Sequence, residues 1–289
     1  MTPQFITGLQ VAVVLLSVPL VQGIMTSVTA FIKDRSRIAP WLPYKTLRTT
    51  VEKWASSTHH RAHHAQFAHL PTLIALGCSI ALIPILPLVG KSDYTQGMGN
   101  IMVVAGIVAL GAFFHALKGS DLAETKKQIR QSSFTVFALI LTLGALALVA
   151  NTSDTMAFGA LNWMTQYSLL PAAIALFFLA WSMRTDIIIF STFGLFAMTL
   201  LVPRLFDGAT GDGDLPQVYV VLLVAGIAVL KLAVFAVAVA LIDSLLPKIP
   251  TFSKTIKKWN IRLSVNTCFV ITLATLLSLG SIIASIITL

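Results

Sequence analysis

Residues 218–246 read "VYVVLLVAGIAVLKLAVFAVAVALIDSLL", with two charged side chains, Lys231 and Asp243, in the whole run. Coiled as a helix it would be about 44 Å long at 1.5 Å per residue. That exceeds the roughly 30 Å hydrocarbon core of a bilayer. Polar and apolar residues do not alternate along it, so it does not read as a strand of a membrane barrel.

The rest of the chain has the same character. Of 289 residues, 56% are hydrophobic and 11% charged, against about 25% charged in an ordinary soluble domain. Seven further apolar runs stand out, at residues 5–32 (interrupted by Pro19), 67–89, 101–117, 133–150, 168–183, 187–202 and 263–289. The expected fold is an all-α polytopic membrane protein of eight transmembrane helices, forming a single transmembrane domain over residues 1–289. The start lacks the charged head and small-residue cleavage site of a signal peptide, so the first run is expected to stay as a helix. Cys78 and Cys268 lie inside apolar runs without a CxxC partner and read as small buried hydrophobes.

Lysine and arginine orient the spans. With the N-terminus outside, seventeen of the twenty fall on inward segments. Seven of these are on the basic cytoplasmic loop 33–66. Lys91 and Arg204 face outward, and Lys231 lies within a span. Eight spans then put the C-terminus outside as well. The formal charge of +9 is accounted for by this asymmetry, without a nucleic-acid partner.

A charge at mid-bilayer costs several kcal/mol, of order 3 on insertion scales, and persists when paired or lining a wet path. Lys231 sits near mid-depth. Asp243 lies about 18 Å further along the helix, too far for a direct pair, so each needs partners from other helices. His115 is near the inner end of the third span, Asp121 just past it, and Asp186 at the inner turn between the fifth and sixth. One reading makes these five an ion path; the other makes them polar contacts that fix helix packing. For Lys231 the two stand level. For Asp243 and His115 the packing reading is preferred, because both lie within reach of headgroup water. The outer stretch "RLFDGATGDGDLP" (204–216) lacks a calcium loop's closing glutamate and reads as an acidic turn.

Five of the six histidines fall in "HHRAHHAQFAH" (59–69). On a helix His59 and His63, or His60 and His64, would stack at i and i+4, a spacing that can hold a metal. Each pair supplies two ligands, no acid or cysteine follows, and Arg61 disfavours a cation. A partly protonated interfacial patch is the preferred reading, and a metal at His59, His60, His63 and His64 the lesser one.

Read together, "PLVQGIMTSVTAFIKDRSRIAPWLPYKTLRTTVEK" (19–53), "AHLPTLIALGCSIALIPILPLVG" (68–90), "GNIMVVAGIVALGAFFHALKGSD" (99–121) and "VLKLAVFAVAVALIDSLLPKIPTFSKTIKKWNIRLSVNT" (229–267) resemble a known membrane subunit. It is the eight-helix subunit shared by formate hydrogenlyases, hydrogenase-4-type enzymes and respiratory complex I, where it is called subunit 1. Arg37, Pro40, Pro43, Tyr44 and Lys45 follow that family's first inner loop. Lys118, Gly119, Ser120 and Asp121 follow its third-span turn, and Lys231, Asp243 and Ser244 its seventh span. The resemblance implies a non-catalytic subunit of a bacterial inner-membrane assembly, with no cofactor of its own. It would dock a soluble cytoplasmic module and link it to an antiporter-like, ion-translocating membrane subunit. Arg35, Arg37, Tyr44, Lys45, Arg48 and Lys53 would form the docking surface. The chain departs from the family after the fifth span, where "SMRTDIIIFSTFG" (182–194) runs straight into the sixth. The family's long acidic loop is missing, so quinone binding is not expected, and an ion path must use fewer groups. That loss leaves room for a non-redox partner, such as an ion- or inorganic-carbon-handling module. A free-standing secondary ion or solute transporter is the rival reading.

Overall fold

The computed structural model describes residues 3–34, 38–45, 70–88, 99–117, 122–160, 167–184, 186–202, 217–245 and 265–288. They are nearly all helical. The α-helices are α1 (Pro3–Asp34), α2 (Leu70–Ile85), α3 (Ile101–Ala116), α4 (Leu122–Ala150), α5 (Leu169–Ser182), α6 (Ile187–Leu201), α7 (Gln217–Leu245) and α8 (Val265–Thr288). A 3₁₀ turn, Thr155–Ala160, follows α4. Each helix overlies one of the eight apolar runs.

Four helices contain stretches long and apolar enough to cross a membrane: Thr7–Ile32, Gln128–Ala150, Leu222–Ser244 and Val270–Ile287. The other four, α2, α3, α5 and α6, are shorter apolar helices of 14 to 16 residues. The helix α4 begins well before the apolar run at 133. The stretch "LAETKKQIRQS" (122–132) consists largely of strong helix formers, so the helix extends beyond the apolar part.

The surface carries Leu16, Phe137, Leu222, Leu230, Leu276 and Ile287, each more than half exposed. Ser79, Thr142, Ser191, Thr192, Ser278 and Ser281 are fully buried. Large apolar groups outside and small hydroxyls inside reverse the arrangement of a water-soluble bundle, and suit helices packing within lipid. Along α8 the buried side is Ala274, Ser278, Ser281 and Ser285, at i, i+4, i+7 and i+11. The Ser278 hydroxyl meets that of Thr142 on α4 at 2.8 Å, and Ser281 donates to the Ser168 carbonyl ahead of α5.

The centre of the bundle is α6, packed by α1, α2, α5 and α7. Every residue from Ile189 to Leu200 is buried, which accounts for a sequence apolar on all sides. Phe235 of α7 packs edge-on to Phe177 of α5, with ring centroids 4.9 Å apart, and tilted against Phe190 of α6 at 4.8 Å. The ring of Phe235 fits because position 194 on α6 is glycine; a Cβ there would overlap it.

Pro84 and Pro87 end α2 early, leaving terminal carbonyls that need donors. Gln10 of α1, 1% exposed, supplies its amide to the carbonyls of Ile83 and Leu86. The Thr155 hydroxyl donates to the Ile85 carbonyl at 3.1 Å. The 3₁₀ turn is held in place by this bond and by Thr155 N donating to Gly99 O at 2.7 Å.

Candidate functional site: a polar cavity beside the α5–α6 turn

The helix α3 turns Val108, Gly111, Ala112 and His115 to one side, at i, i+3, i+4 and i+7. Gln128, Gln131, Ser132 and Thr135 on α4 have the same spacing. Both sets line one cavity of about 100 Å³, closed by Ser182, Met183, Asp186 and Ile189 from the α5–α6 turn. On α3 the small side chain of Ala112 leaves the space open, while the missing Cβ of Gly111 lets α3 approach Cys78 of α2. The cavity has room for about three waters at roughly 30 Å³ each. In a bundle whose interior is otherwise mainly apolar, such a clustering of amide, hydroxyl, imidazole and carboxylate groups is the main candidate site.

Asp186 is the anionic wall. Its Oδ1 accepts from the backbone N–H groups of Ile188 and Ile189 at 3.1 and 3.2 Å, capping the N-terminus of α6. Its Oδ2 accepts from the Ser79 hydroxyl of α2 at 2.6 Å. Two free N–H groups at a helix start make a natural anion seat. The site chemistry therefore rests on a carboxylate held in a fixed orientation, with His115 on the same cavity.

The other expected residues are distributed differently. Asp243 does not line the cavity. It accepts from Trp181 Nε1 at 3.1 Å and forms an ion pair with Arg184, so the α5–α6 turn is tied to the C-terminal end of α7. The partners from other helices that its position demanded are these two. Lys231 is 9% exposed, and its ammonium donates to the Val202 carbonyl, the C-cap of α6, at 3.2 Å. It thus stands about 22 Å from the Asp186 end, the length of fifteen helical residues.

Tyr44 and Lys45 are exposed, and the Tyr44 hydroxyl donates to the Leu16 carbonyl of α1 at 2.6 Å. Asp121, Arg35, Arg37, Arg48 and Lys53 lie outside the described residues, as do His59, His60, His63 and His64. Among the described residues no group of three or more His, Cys, Asp or Glu could hold a metal.

The stripe Gln128, Gln131, Ser132 and Thr135 is absent from the sequence reading, which began the fourth span at residue 133. Extending helical periodicity one turn into the polar flank would have revealed it. No protein-family model matches the chain, and no curated protein matches it.

Proposed function

We propose that this chain is a non-catalytic membrane anchor and coupling subunit of a multisubunit assembly of the complex I and hydrogenase type. It crosses the bacterial cytoplasmic membrane eight times with both termini outside. Its basic inner segments dock a soluble module, and it adjoins an antiporter-like subunit that translocates ions. The observation that carries the reading is the polar cavity in an otherwise apolar bundle, beside segments rich in lysine and arginine. Asp186 and His115 border it, and this is where a proton or small ion arriving from a docked module would be received. The motif resemblance at residues 19–53, 68–90, 99–121 and 229–267 supplies the type of assembly.

The test is purification in gentle detergent followed by identification of everything that co-migrates. Stoichiometric soluble and large membrane subunits are expected. A lone monomer or dimer that moves a solute by itself overturns the reading.

That outcome would favour a secondary transporter. One observation speaks for it: α6 is a short, fully surrounded helix with a carboxylate at its N-terminus and an ammonium at its C-terminus. Transporters often place ion sites at the ends of short half-helices.

A further inference from the structure

The first turns of α4 carry two unlike faces. Gln128, Gln131, Ser132 and Thr135 turn inward to the cavity. Lys126, Arg130, Phe134 and Phe137 lie on the other side, and all four are exposed. Their spacings of four, four and three residues keep them on one stripe of the helix. Phe134 and Phe137 are 44% and 59% exposed, and Leu148 continues the same side at 52%. Ser133, also on this side, is turned to its own helix, its hydroxyl donating to the Ile129 carbonyl at 2.9 Å. The stripe is therefore cationic for one turn and apolar beyond it.

The far end of α4 fixes the level of this change. The helix stops at Ala150, where Asn151 takes a positive φ of 51° and the polar run Asn151, Thr152, Ser153 and Asp154 follows. The apolar stretch Gln128–Ala150 is 23 residues, about 34 Å. That is close to the roughly 30 Å of a hydrocarbon core. With Asn151 at one headgroup layer, Lys126 reaches the other. Arg130 lies about 3 Å inside the stretch, within reach of a side chain that buries its stem and keeps its charge among the headgroups.

Lys126 and Arg130 stand at i and i+4, about 6 Å apart on the helix surface, where like charges disfavour the helix. Glu124, the acid within α4, is two and six residues from them, not at the three or four at which helix side chains pair. Among the described residues neither cation has an ion-pair or hydrogen-bond partner. A phosphate between them removes the repulsion and accepts charge-assisted hydrogen bonds from both. A free phosphate or an acidic peptide answers the charges and leaves the two rings bare. A phospholipid answers both, because its acyl chain continues from the phosphate along the apolar part of the stripe.

We propose that this face of α4 binds an anionic phospholipid, with its phosphate between Lys126 and Arg130 and an acyl chain against Phe134 and Phe137. The inference rests on the membrane reading of the bundle. The lipid sits on the back of the helix that walls the polar cavity.

The experiment counts lipids bound to the full chain in detergent by native mass spectrometry, with phosphatidylglycerol or phosphatidylcholine added at equal concentration. Retention of phosphatidylglycerol where phosphatidylcholine is lost is expected for the parent. Lys126→Gln with Arg130→Gln lowers that retention about tenfold or more, and Lys126→Arg with Arg130→Lys preserves it. Lys254→Gln with Lys257→Gln removes the same charge elsewhere and stays near the parent. Where the first pair fails to fold, Lys126→Gln and Arg130→Gln are measured singly, each with an expected loss of about fivefold. Equal retention of the two lipids by the parent overturns the site, as does parent-like retention without the two cations. Equal loss in the two charge-removal pairs reduces the attraction to overall charge, and displacement of the lipid by inorganic phosphate makes the seat one for free phosphate; either result overturns the proposal. A chain that holds neither lipid and stays dispersed without detergent takes the membrane reading down with it.

Discussion

Asp186 and Lys231 stand at opposite ends of one helix. The carboxylate of Asp186 receives two N–H groups at the start of α6, and the ammonium of Lys231 meets the Val202 carbonyl at its end. A helix carries partial positive charge at its N-terminus and partial negative charge at its C-terminus. An anion and a cation in these places are each favourable, without direct contact between them. Lys231, a costly charge in an apolar sequence, and Asp186 have the orientation that the central helix stabilises.

For Asp186 the capping role and the charge separate cleanly. Asp186→Asn keeps an oxygen for the Ile188 and Ile189 N–H groups, whereas Asp186→Ala removes it and costs about 1 kcal/mol. Thermal unfolding in detergent is expected to show Asn near the parent and Ala clearly lower. If ion uptake through the cavity uses the charge, the Asn variant loses ion movement in reconstituted vesicles while remaining folded. An Asn variant with full ion movement assigns Asp186 to capping alone.

Lys231→Met tests the far end of α6. Methionine has similar length and removes the ammonium from the Val202 carbonyl. Assembly, followed by gel filtration of the complex, is expected to survive, and ion coupling to fall severalfold. Lys231→Arg, which keeps the cation, is expected to retain assembly with partial coupling. Unchanged coupling in an intact Met complex makes the lysine a helix cap and nothing more.

Asp243 differs in kind from both. Its ion pair with Arg184 is at the periphery, with the two side chains 21% and 45% exposed, so the pair alone is worth about 1 kcal/mol or less. Asp243→Asn still offers an oxygen to Trp181 Nε1 and is expected to unfold within a few degrees of the parent. Asp243→Ala leaves that indole N–H without its acceptor and is expected to be the less stable of the two. Equal unfolding temperatures for Asn and Ala would show that the Trp181 bond contributes nothing.

The positions of the helices were legible because charge-free runs of this length have few alternatives. Lys231 and Asp243 could be recognised as needing foreign partners from their spacing of twelve residues. Their actual partners could not be named, because Val202, Trp181 and Arg184 are brought near by packing of α5, α6 and α7 against one another. The cavity was illegible for a related reason. Ala112 is an ordinary residue for a packed helix, and it borders a space only once Gln131 and Ser132 stand across from it. That residues 38–45 return along α1 was equally illegible, because the features that fix them there, Gly23 beside Pro40 and the Leu16 carbonyl that accepts from Tyr44, carry no charge to signal it.

Two glycines give a packing test with opposite signs. Gly194→Ala drives a methyl into the Phe235 ring, which is itself held by Phe177 and Phe190. Overpacking of this kind costs about 1–3 kcal/mol. At Gly144 in α4 a Cβ meets nothing within 4 Å, and alanine is the better helix former by about 0.5–1 kcal/mol. Unfolding temperature should fall for the first and hold or rise for the second. A harmless Gly194→Ala would mean that Phe235 is not seated as described.

The cavity itself is tested by filling it. Ala112 lies on its α3 wall, opposite the hydroxyl and amide stripe of α4. Ala112→Leu adds three carbons to a space that holds about three waters. The added side chain fills that space and removes no polar group. The fold and the co-purifying subunits are therefore expected to persist, with ion movement reduced at least severalfold. Ala112→Ser, which fits the same space and keeps it polar, is the matched control and should stay near the parent. If Leu and Ser conduct equally in a complex of normal composition, ions do not pass through this cavity.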